Sequence, residues 1–280
     1  MPSFSTPNAQ CIAQDVARSL QEDLQSGDVT AQLLEDDIEH GYILAKEAAV
    51  ICGRPWFDAC FKQLDPHIEI DWLVDEGQYV VVNTVIVRFK GRARALVSAE
   101  RSALNFLQTL SATATQTAQF ALALKGTKTR VLDTRKTLPG LRQAQKYAVR
   151  VGGGVNHRMG LFDAVMLKEN HIHAEGSIAN AVRKARQLFP IIPIIVEVEN
   201  LEELQQALAT DCTRILIDDF NDADMREAVS FANGRKPLEV SGNVTLERLA
   251  VIAATGVDFV SVGAITKHIH AIDFSMRLAK

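Results

Sequence analysis

The sequence has few cysteines and no long apolar run, and each absence excludes a class of protein. Its four cysteines, Cys11, Cys52, Cys60 and Cys212, show no CxxC or other ligand-like spacing. This argues against a zinc site or a disulfide framework and favours buried thiols in a reducing compartment. No apolar run reaches the ~18 residues of a membrane-spanning helix, and residues 1–10 lack the basic-then-apolar pattern of a secretory signal. We therefore expect a cytoplasmic protein outside the membrane.

A strong excess of charge of one sign is also absent. The 280 residues carry a net charge of −4, which argues against a general binder of nucleic acid or of membrane surfaces. The composition, 47% apolar and 23% charged, is that of an average globular protein. The basic row from Arg88 to Arg94 lacks interleaved aromatic residues, so it favours the solvated face of an antiparallel edge strand over a nucleic-acid site.

Three segments of the first 125 residues have helical patterns. One helix face is formed by Ile12, Val16, Leu20 and Leu24. Gly27 is expected to stop this helix. Residues 55–64 predict a short amphipathic helix with Pro55 in its first turn. Residues 96–124 predict further helix, with a break near 111–113 where a second helix starts.

Strand patterns lie between these helices. Residues 40–52 favour strand, with a hairpin as one option, and alternation of apolar with polar residues predicts half-buried strands at 68–72 and 85–94. Helices and strands do not alternate regularly here. Residues 1 to about 95 therefore predict an α+β domain.

Beyond residue 125, short apolar runs alternate with helical stretches. The predicted strands are 130–133, 164–168, 194–199, 215–218, 238–241 and 258–263. The predicted helices are 141–151, 177–188, 201–209, 222–231 and 245–254. Regular alternation predicts a parallel sheet with both faces covered. Six such units are fewer than the eight of a complete barrel, so we predict an open α/β barrel, with a doubly wound sheet as the alternative.

A polar, charged or glycine residue ends each predicted strand of this region. These residues are Asp133, Lys168, Glu197 or Glu199, Asp218, Ser241 with Gly242, and Gly263. The carboxyl ends of barrel strands are where catalytic groups assemble. The pattern therefore predicts a site at this edge of the sheet.

Several cations point to an anionic ligand at that site. Lys168 ends an apolar strand, where it either extends to solvent or faces an anion. The nearby Arg135, Lys136 and Arg158 favour the anion, because guanidinium groups grip carboxylate or phosphate with paired hydrogen bonds. The three consecutive glycines 152–154 are expected to let main-chain N–H groups approach the same ligand. His157 is either a proton donor or only a hydrogen-bond donor, and a lone histidine favours the second role.

The carboxylates at the strand ends leave more than one role open. Glu197, Glu199 and Asp218 either pair with the cations, hold a hard metal such as Mg²⁺, or bind ribose hydroxyls. Glu197 and Glu199 are two residues apart on one strand, so either could face the site. The segment 241–243 and Gly263 lie in late strand-to-helix loops, where barrels commonly bind phosphate.

Together these residues resemble the quinolinate phosphoribosyltransferase family, the carboxylating nicotinate-nucleotide pyrophosphorylases of NAD biosynthesis. The resemblance runs from Gly27 to Gly263, and its most specific segments are 100–105, 133–142, 152–158, 168–171, 196–200 and 241–242. It implies an N-terminal α/β sandwich domain over residues 1–112 and an open α/β barrel of about six βα units over residues 113–280. The last ten residues or so are expected to return to the N-terminal domain.

The activity implied by the resemblance is that of a pentosyltransferase. Quinolinate and phosphoribosyl pyrophosphate would give nicotinate mononucleotide, pyrophosphate and CO₂. The implied catalytic residues are Lys136, Lys168, Glu197 and Asp218. The implied substrate-binding residues are Arg101, Arg135, Lys136, His157, Arg158, Lys168, Glu197, Asp218, Ser241, Gly242, Asn243 and Gly263. Mg²⁺ is implied as cofactor, held by substrate and water near Glu197 and Asp218 without a direct protein ligand.

The resemblance also implies a partner. The expected assembly is a homodimer or a higher homo-oligomer in which Arg101 completes the site of the neighbouring subunit, with no nucleic-acid or membrane partner. The alternatives are a phosphoribosyltransferase of a different pyridine acid and a relative associated with molybdenum transport. A Schiff-base lyase with Lys168 as nucleophile and a non-catalytic phosphometabolite sensor are less favoured, because they give the paired carboxylates no clear role.

Overall fold

The computed structural model describes residues 6–242 and 244–279, and the chain divides into two compact units. The N-terminal unit comprises the residues up to 118, 138–153 and those from 265 onward. The barrel unit comprises 119–137 and 154–264. No helix in the described part of the chain is both long enough and apolar enough to cross a bilayer.

Strands and helices alternate regularly in the barrel unit but not in the N-terminal unit. The strands are β1 (Ile38–Ala45), β2 (Ala49–Val50), β3 (Glu69–Trp72), β4 (Tyr79–Val80), β5 (Val85–Arg92), β6 (Arg130–Leu132), β7 (Val165–Leu167), β8 (Ile194–Val198), β9 (Arg214–Asp218), β10 (Leu238–Ser241), β11 (Phe259–Ser261) and β12 (Phe274–Ala279). The helices are α1 (Ala9–Leu24), α2 (Arg54–Leu64), α3 (Ala93–Ala123), α4 (Arg142–Val151), α5 (Glu169–Glu175), α6 (Ile178–Leu188), α7 (Leu201–Leu208), α8 (Asp222–Ala232), α9 (Leu249–Thr255) and α10 (Ala264–Lys267), with a 3₁₀ turn at Ala31–Leu33.

The helix predicted at the start of the chain is confirmed by α1. Its apolar face buries Ile12, Val16 and Leu20, and Asn8 caps its first turn by accepting a hydrogen bond of 2.8 Å from the main-chain N of Gln10. The helix ends at Leu24, before the predicted stop at Gly27. One buried stripe and one cap thus account for this element.

The second predicted helix, α2, is confirmed as the centre of the N-terminal core. Gly53 precedes it with a φ of +112°, a conformation that favours glycine. Pro55 lies in its first turn, where a missing N–H costs nothing. Its buried residues are Trp56, Phe57, Cys60 and Phe61. They join the residues of α1, α3 and the antiparallel sheet in one hydrophobic cluster.

The predicted strands of this region are confirmed, but the hairpin considered for residues 40–52 does not form. The four-stranded antiparallel sheet has the order β12–β1–β5–β3, whereas β2 pairs only with β4 in a separate ladder within the described residues. β1 and β2 therefore have different partners. Residues 46–48, which connect them, are not part of a strand. The confirmed mixture of antiparallel sheet and helices is the α/β architecture that the resemblance implied.

The break predicted near residues 111–113 is wrong, since α3 runs without interruption from Ala93 to Ala123. The hydroxyls of this segment have partners, and the helix stays intact. Ser111 Oγ accepts a hydrogen bond from the main-chain N of Cys52 at 3.0 Å, and Thr113 Oγ1 donates to the carbonyl of Thr109 at 3.2 Å. Side-chain hydroxyls satisfied in this way do not compete with the helical backbone.

The open barrel predicted from the βα rhythm is confirmed. Six parallel strands form one sheet in the order β6–β11–β10–β9–β8–β7. In the described residues β6 and β7, which would have to pair to complete a barrel, form the two edges of the sheet. The sheet is therefore curved but not closed, and the strands between its edges are apolar and largely buried.

The predicted helices of the barrel unit are also present. α6, α7 and α8 agree with the predicted stretches within a few residues, whereas α9 begins at Leu249 rather than near Thr245, and α5 was not predicted. Asn200 and Asn221 cap α7 and α8 by accepting hydrogen bonds from main-chain N–H groups of the first turn. β7, β8, β9 and β11 thus lead through short loops into helices, whereas β6 and β10 are followed by longer loops.

The two units interleave along the sequence. β12 pairs antiparallel with β1, with Leu278 opposite Gly41. α4, which follows β6 in the chain, belongs to the N-terminal unit, where the ring of Tyr147 lies 5.6 Å from that of Trp56. A domain boundary between residues 112 and 113 therefore stays a prediction, because no single cut in the chain separates the two units.

Candidate active site

The carboxyl ends of the six barrel strands surround a cavity of about 300 Å³, here called the mouth cavity. Its lining residues are Thr134, Arg135, Lys136, His157, Arg158, Met166, Lys168, Glu197, Leu216, Glu239, Ser241 and Ser261. Every strand of the sheet contributes a residue within its span or in the loop that follows it. The volume lies at the small end of the range for small-molecule sites.

The charges of the mouth cavity favour a doubly negative ligand. Among the described lining residues, four side chains are cationic and two are carboxylates. The cations are Arg135, Lys136, Arg158 and Lys168, and the carboxylates are Glu197 and Glu239. The formal excess is two positive charges, which a dianion would neutralise. A cluster of this sign in a chain of net charge −4 is a local feature.

Lys168 and Glu197 form an ion pair across neighbouring strands. The Nζ of Lys168, which follows β7, lies 2.8 Å and 2.6 Å from the two carboxylate oxygens of Glu197 in β8. The Lys168 side chain is 43% exposed. Water weakens a pair that is this accessible, so an arriving anion can take the ammonium group from Glu197. Lys168 therefore faces the cavity, as the sequence analysis favoured.

The structure distinguishes Glu197 from Glu199. Glu197 lies within β8 and lines the mouth cavity. Glu199 follows the end of β8 and is exposed, and its main-chain N donates to Glu203 at 2.9 Å. Of the two carboxylates, Glu197 has the position from which it can reach a ligand in the cavity.

Arg158 is held by the wall of the cavity. Its guanidinium donates to the carbonyl of Ala164 at 3.1 Å and lies 3.7 Å from the sulfur of Met166. Burial lowers the pKa of Arg158, and the charge of Arg135 lowers it further. Two guanidinium groups that raise each other's energy in this way are stabilised when an anion binds between them.

The loop that carries His157 and Arg158 is fixed by Asp133, which ends the β6 segment and is fully buried. One oxygen of Asp133 accepts from the main-chain N of His157 at 2.8 Å, and the other accepts from Asn156 Nδ2 at 2.6 Å. Val155 also donates to the carbonyl of Val131 at 2.9 Å. Asp133, one of the predicted strand-end residues, thus holds the loop and does not line the cavity.

The ligand contact expected of the three glycines stays a prediction, whereas Gly152 has a packing role in the structure. None of residues 152–154 is among the described residues that line the mouth cavity. Gly152 follows α4, and a Cβ at this position would come 2.7 Å from the side chain of Thr117 and closer still to the carbonyl of Ala114. Glycine is needed here because α4 and α3 pack too closely for a side chain.

The glycines of the late loops lie at the cavity or beside it. Ser241 lines it, and Gly242 follows with a φ of +88°, which favours glycine. A Cβ at Gly263 would lie 2.9 Å from Cδ of Lys136, so glycine leaves room for that lysine. Asn243, predicted as a phosphate contact, lies outside the described residues.

Two predicted residues are not in the lining of the cavity. Asp218 ends β9, is half-buried, and lies in register with Ser241 of β10. Arg101 belongs to α3 in the N-terminal unit, and its side chain is exposed. Their predicted roles stay predictions, whereas Arg135, Lys136, His157, Arg158, Lys168, Glu197 and Ser241 are brought together at one cavity.

The residue that the sequence analysis missed is Glu239. It lies in β10 between Leu238 and Val240 and is fully buried. Its Oε1 lies 3.2 Å from Nε2 of His157, its Oε2 lies 3.2 Å from a guanidinium nitrogen of Arg214, and Ser261 Oγ donates to Oε1. The available signal was a single acidic residue at an inward position of an apolar strand.

The ionisation of Glu239 follows from these partners. Burial by itself raises the pKa of the Glu239 carboxyl. The close contact with His157 and the charge of Arg214 lower it by more, so the pKa lies below its ordinary value. The floor of the cavity therefore contains a buried negative charge.

Two family models match the chain over almost its whole length. The model of the quinolinate phosphoribosyl transferase C-terminal domain matches residues 113–277, and the model of the N-terminal domain of the same family matches residues 28–111. These matches cover both units.

Individual proteins show the same similarity. A Synechocystis protein named "probable nicotinate-nucleotide pyrophosphorylase [carboxylating]" is 44% identical over 269 residues, which are 93% of this chain and 90% of that protein. The nicotinate-nucleotide pyrophosphorylase [carboxylating] of Mycobacterium leprae is 39% identical over 94% of this chain and 95% of its own. The solved structure of the nicotinate-nucleotide pyrophosphorylase from Francisella tularensis superposes with a TM-score of 0.96 at 46% identity, covering 100% of both chains.

Proposed function

Because the chain belongs to the quinolinate phosphoribosyl transferase family, a family of phosphoribosyltransferase enzymes, we propose that it transfers the phosphoribosyl group of phosphoribosyl pyrophosphate to quinolinate. The products would be nicotinate mononucleotide, pyrophosphate and CO₂. The observation that carries the proposal is the formal excess of two positive charges in the mouth cavity, which matches the two carboxylates of quinolinate.

The quinolinate carboxylates would be bound by Arg135, Arg158 and Lys168. Arg158 is fixed by Ala164 and Met166, so its donors are in place before the ligand arrives. Lys168 would exchange its ion pair with Glu197 for a substrate carboxylate. Lys136 and His157 lie in the same lining. Fixed cations of this kind make up for the water that a dianion loses on entering the cavity.

The second substrate would extend toward the loops after β9, β10 and β11. Glu197 and Asp218 end neighbouring strands, where they can accept hydrogen bonds from the ribose hydroxyls. Ser241, Gly242, Asn243 and Gly263 would surround the 5′-phosphate. As the bond from C1′ to pyrophosphate breaks, positive charge develops on the ribose carbon, and these carboxylates would stabilise it.

Magnesium fits this arrangement as part of the second substrate. Mg²⁺ keeps several waters and binds substrate phosphates, and Glu197 and Asp218, near the ends of adjacent strands, would accept hydrogen bonds from those waters without binding the ion directly. When bound, the ion would neutralise charge on the departing pyrophosphate.

The decarboxylation needs little from the protein. Transfer forms a bond between the ring nitrogen and C1′ while the bond to pyrophosphate breaks, which leaves the ring cationic. The bond from C2 to its carboxylate then breaks, CO₂ leaves, and the electron pair stays on C2 until a proton replaces it. The adjacent cationic nitrogen stabilises that pair. Lys136 and Lys168 would hold the substrate during both steps.

Arg101 would act in a neighbouring subunit. Its exposed side chain on α3 would complete the mouth cavity of a second copy of the chain in a homodimer or higher homo-oligomer. The quinolinate site would then contain one more guanidinium than a single chain provides.

The test is release of CO₂ and pyrophosphate by the purified protein. Quinolinate, phosphoribosyl pyrophosphate and Mg²⁺ are supplied together, and nicotinate replaces quinolinate in a parallel reaction. Turnover of quinolinate is expected, with none of nicotinate. Turnover of nicotinate alone would assign the chain to a different pyridine acid, and no turnover of either would overturn the proposal.

A further inference from the structure

Glu239 occupies a position where an unpartnered charge would be costly. It lies in register with Leu216 of β9 and with Phe259 of β11, inside the sheet. Arg214, which contacts its Oε2, lies with its guanidinium carbon 5.2 Å from the centre of the Phe259 ring. Removing both charges of such a pair from water costs free energy that their attraction often does not offset. The pair therefore points to a role other than stability.

His157 connects this buried charge to the cavity. Its Nδ1 accepts a hydrogen bond of 2.6 Å from the main-chain N of Arg158. A ring nitrogen that accepts carries no hydrogen, so the ring has its hydrogen on Nε2, which lies 3.2 Å from Oε1 of Glu239. Nε2 thus faces Oε1 at ion-pair distance but without the alignment of a hydrogen bond, and the residue is only 7% exposed.

We propose that Glu239 is a positioning residue for Arg158, acting through His157. The carboxylate holds the imidazole by Nε2, the imidazole holds the main chain of Arg158 by Nδ1, and the guanidinium is thereby aimed into the mouth cavity. On this view His157 serves quinolinate by orienting Arg158 and does not itself contact the substrate.

The geometry of Arg158 explains why its placement matters. Its guanidinium donates to the carbonyl of Ala164 and lies against the sulfur of Met166. These two contacts fix its orientation, so the remaining N–H groups face the cavity in one orientation. Two parallel hydrogen bonds to a carboxylate tolerate little displacement. A change in the main chain at Arg158 would therefore weaken quinolinate binding more than binding of phosphoribosyl pyrophosphate.

The inference rests on the proposed function for its substrate, but its first test does not. Nitrogen-15 spectra of the histidine side chains are recorded on the ligand-free protein, and His157→Gln identifies the signals of His157. We expect hydrogen on Nε2 and none on Nδ1, with both signals shifted in Glu239→Gln. Hydrogen on Nδ1, or signals unmoved by the substitution, would overturn the inference whether or not the protein is active.

The second test is a double-mutant cycle on quinolinate binding. Glu239→Gln and His157→Ala are each expected to raise the dissociation constant about tenfold to a hundredfold, the usual cost of a misplaced group near a reacting centre. The double variant should be no weaker than the weaker single variant, because both changes break one chain of contacts. Losses that multiply would show that Glu239 acts independently of His157 and would overturn the inference.

Two further variants keep this test decisive. Glu76→Gln removes a half-buried carboxyl from the N-terminal unit and should leave quinolinate binding unchanged. If Glu239→Gln does not fold, Glu239→Asp replaces it, since the shorter side chain keeps its charge but withdraws from His157. A wild-type protein that binds no quinolinate would count against the proposed function, whereas the histidine spectra would still decide the positioning role.

Discussion

Each unit contains a glutamate whose carboxyl has a shifted pKa, and the two shifts are opposite in direction. In the N-terminal unit, Glu76 accepts hydrogen bonds from the main-chain N of Gly53 at 2.8 Å and of Arg54 at 3.3 Å, at the start of α2. Burial raises its pKa despite these bonds. In the barrel unit, burial of Glu239 is outweighed by His157 and Arg214, and its pKa is lowered.

The difference shows how the two units use polar groups. The carboxyl of Glu76 closes a helix end in a large apolar cluster and can bind a proton at little cost. Glu239 lies near a much smaller apolar cluster, formed by Ala164, Ile195 and Leu216 below the mouth cavity. A permanent charge there serves the arrangement of cations above it. Polar groups thus support packing in one unit and a binding site in the other.

The largest effect should come from removing Lys168, because its ammonium belongs to the cavity. Lys168→Ala is expected to lower kcat/KM for quinolinate by about a hundredfold or more, in line with loss of a charged contact to the transition state. Steady-state kinetics with CO₂ release measure this change, and circular dichroism checks the fold.

A matched control is available on the outer surface of the same unit. Lys184 pairs with Glu175 between α6 and α5 and is well exposed. Lys184→Ala should leave kinetics and fold unchanged. Near-wild-type activity in Lys168→Ala would remove Lys168 from the site.

A second experiment tests whether the N-terminal unit also contributes a residue, Arg101, to a binding site. If Arg101 serves the neighbouring subunit, an equimolar mixture of the inactive variants Arg101→Ala and Lys168→Ala should regain activity after exchange. In a dimer, half of the molecules would be hybrids with one intact site, which gives about a quarter of the wild-type rate. Subunit exchange is verified with differently tagged chains, and exchange without recovered turnover would contradict the shared site.

The smallest expected effect concerns the pH dependence of stability. The pKa of Glu76 is higher in the folded than in the unfolded protein. Its contribution to stability is therefore fully present at pH values below the pKa of the unfolded state, and it is lost as pH rises through the pKa of the folded state. The pKa of Glu239 is lower in the folded than in the unfolded protein. Its contribution to stability is therefore present at pH values above the pKa of the unfolded state, and it is lost as pH falls through the pKa of the folded state. Each slope is at most about 1.4 kcal/mol per pH unit.

Denaturant unfolding of both glutamine variants between pH 3 and 7 measures these slopes. Relative to wild type, Glu76→Gln should gain stability as pH rises, whereas Glu239→Gln should lose it. Slopes of the same sign would show that the two carboxyl groups are not as different as their surroundings suggest.

Much of the fold was predictable because local periodicity carries it. The strands β6 to β11 are short apolar runs separated by helices, and α1 and α2 have one apolar face each. The strand-end residues Lys168, Glu197 and Ser241 line the mouth cavity as predicted, since parallel strands bring their carboxyl ends to one edge.

Sequence patterns were insufficient where a distant contact decides the local structure. A helix break is predicted near residues 111–113, but the partner of Ser111 is Cys52, far away in the chain, and the helix stays intact. The ligand contact of Gly152 stays a prediction, whereas its packing role depends on the approach of α4 to α3. Neither partner can be recognised from neighbouring residues.

The amino-acid sequence by itself determined most of the secondary structure of the barrel, the open sheet of six units and the cationic character of its mouth, because these depend on residue type and spacing along the chain. Only the tertiary structure decided that Glu197 rather than Glu199 lines the cavity, and that Glu239, His157 and Arg158 form one chain of contacts. Side-chain hydrogen bonds act over about 3 Å, and only folding brings residues so distant in the sequence within that range.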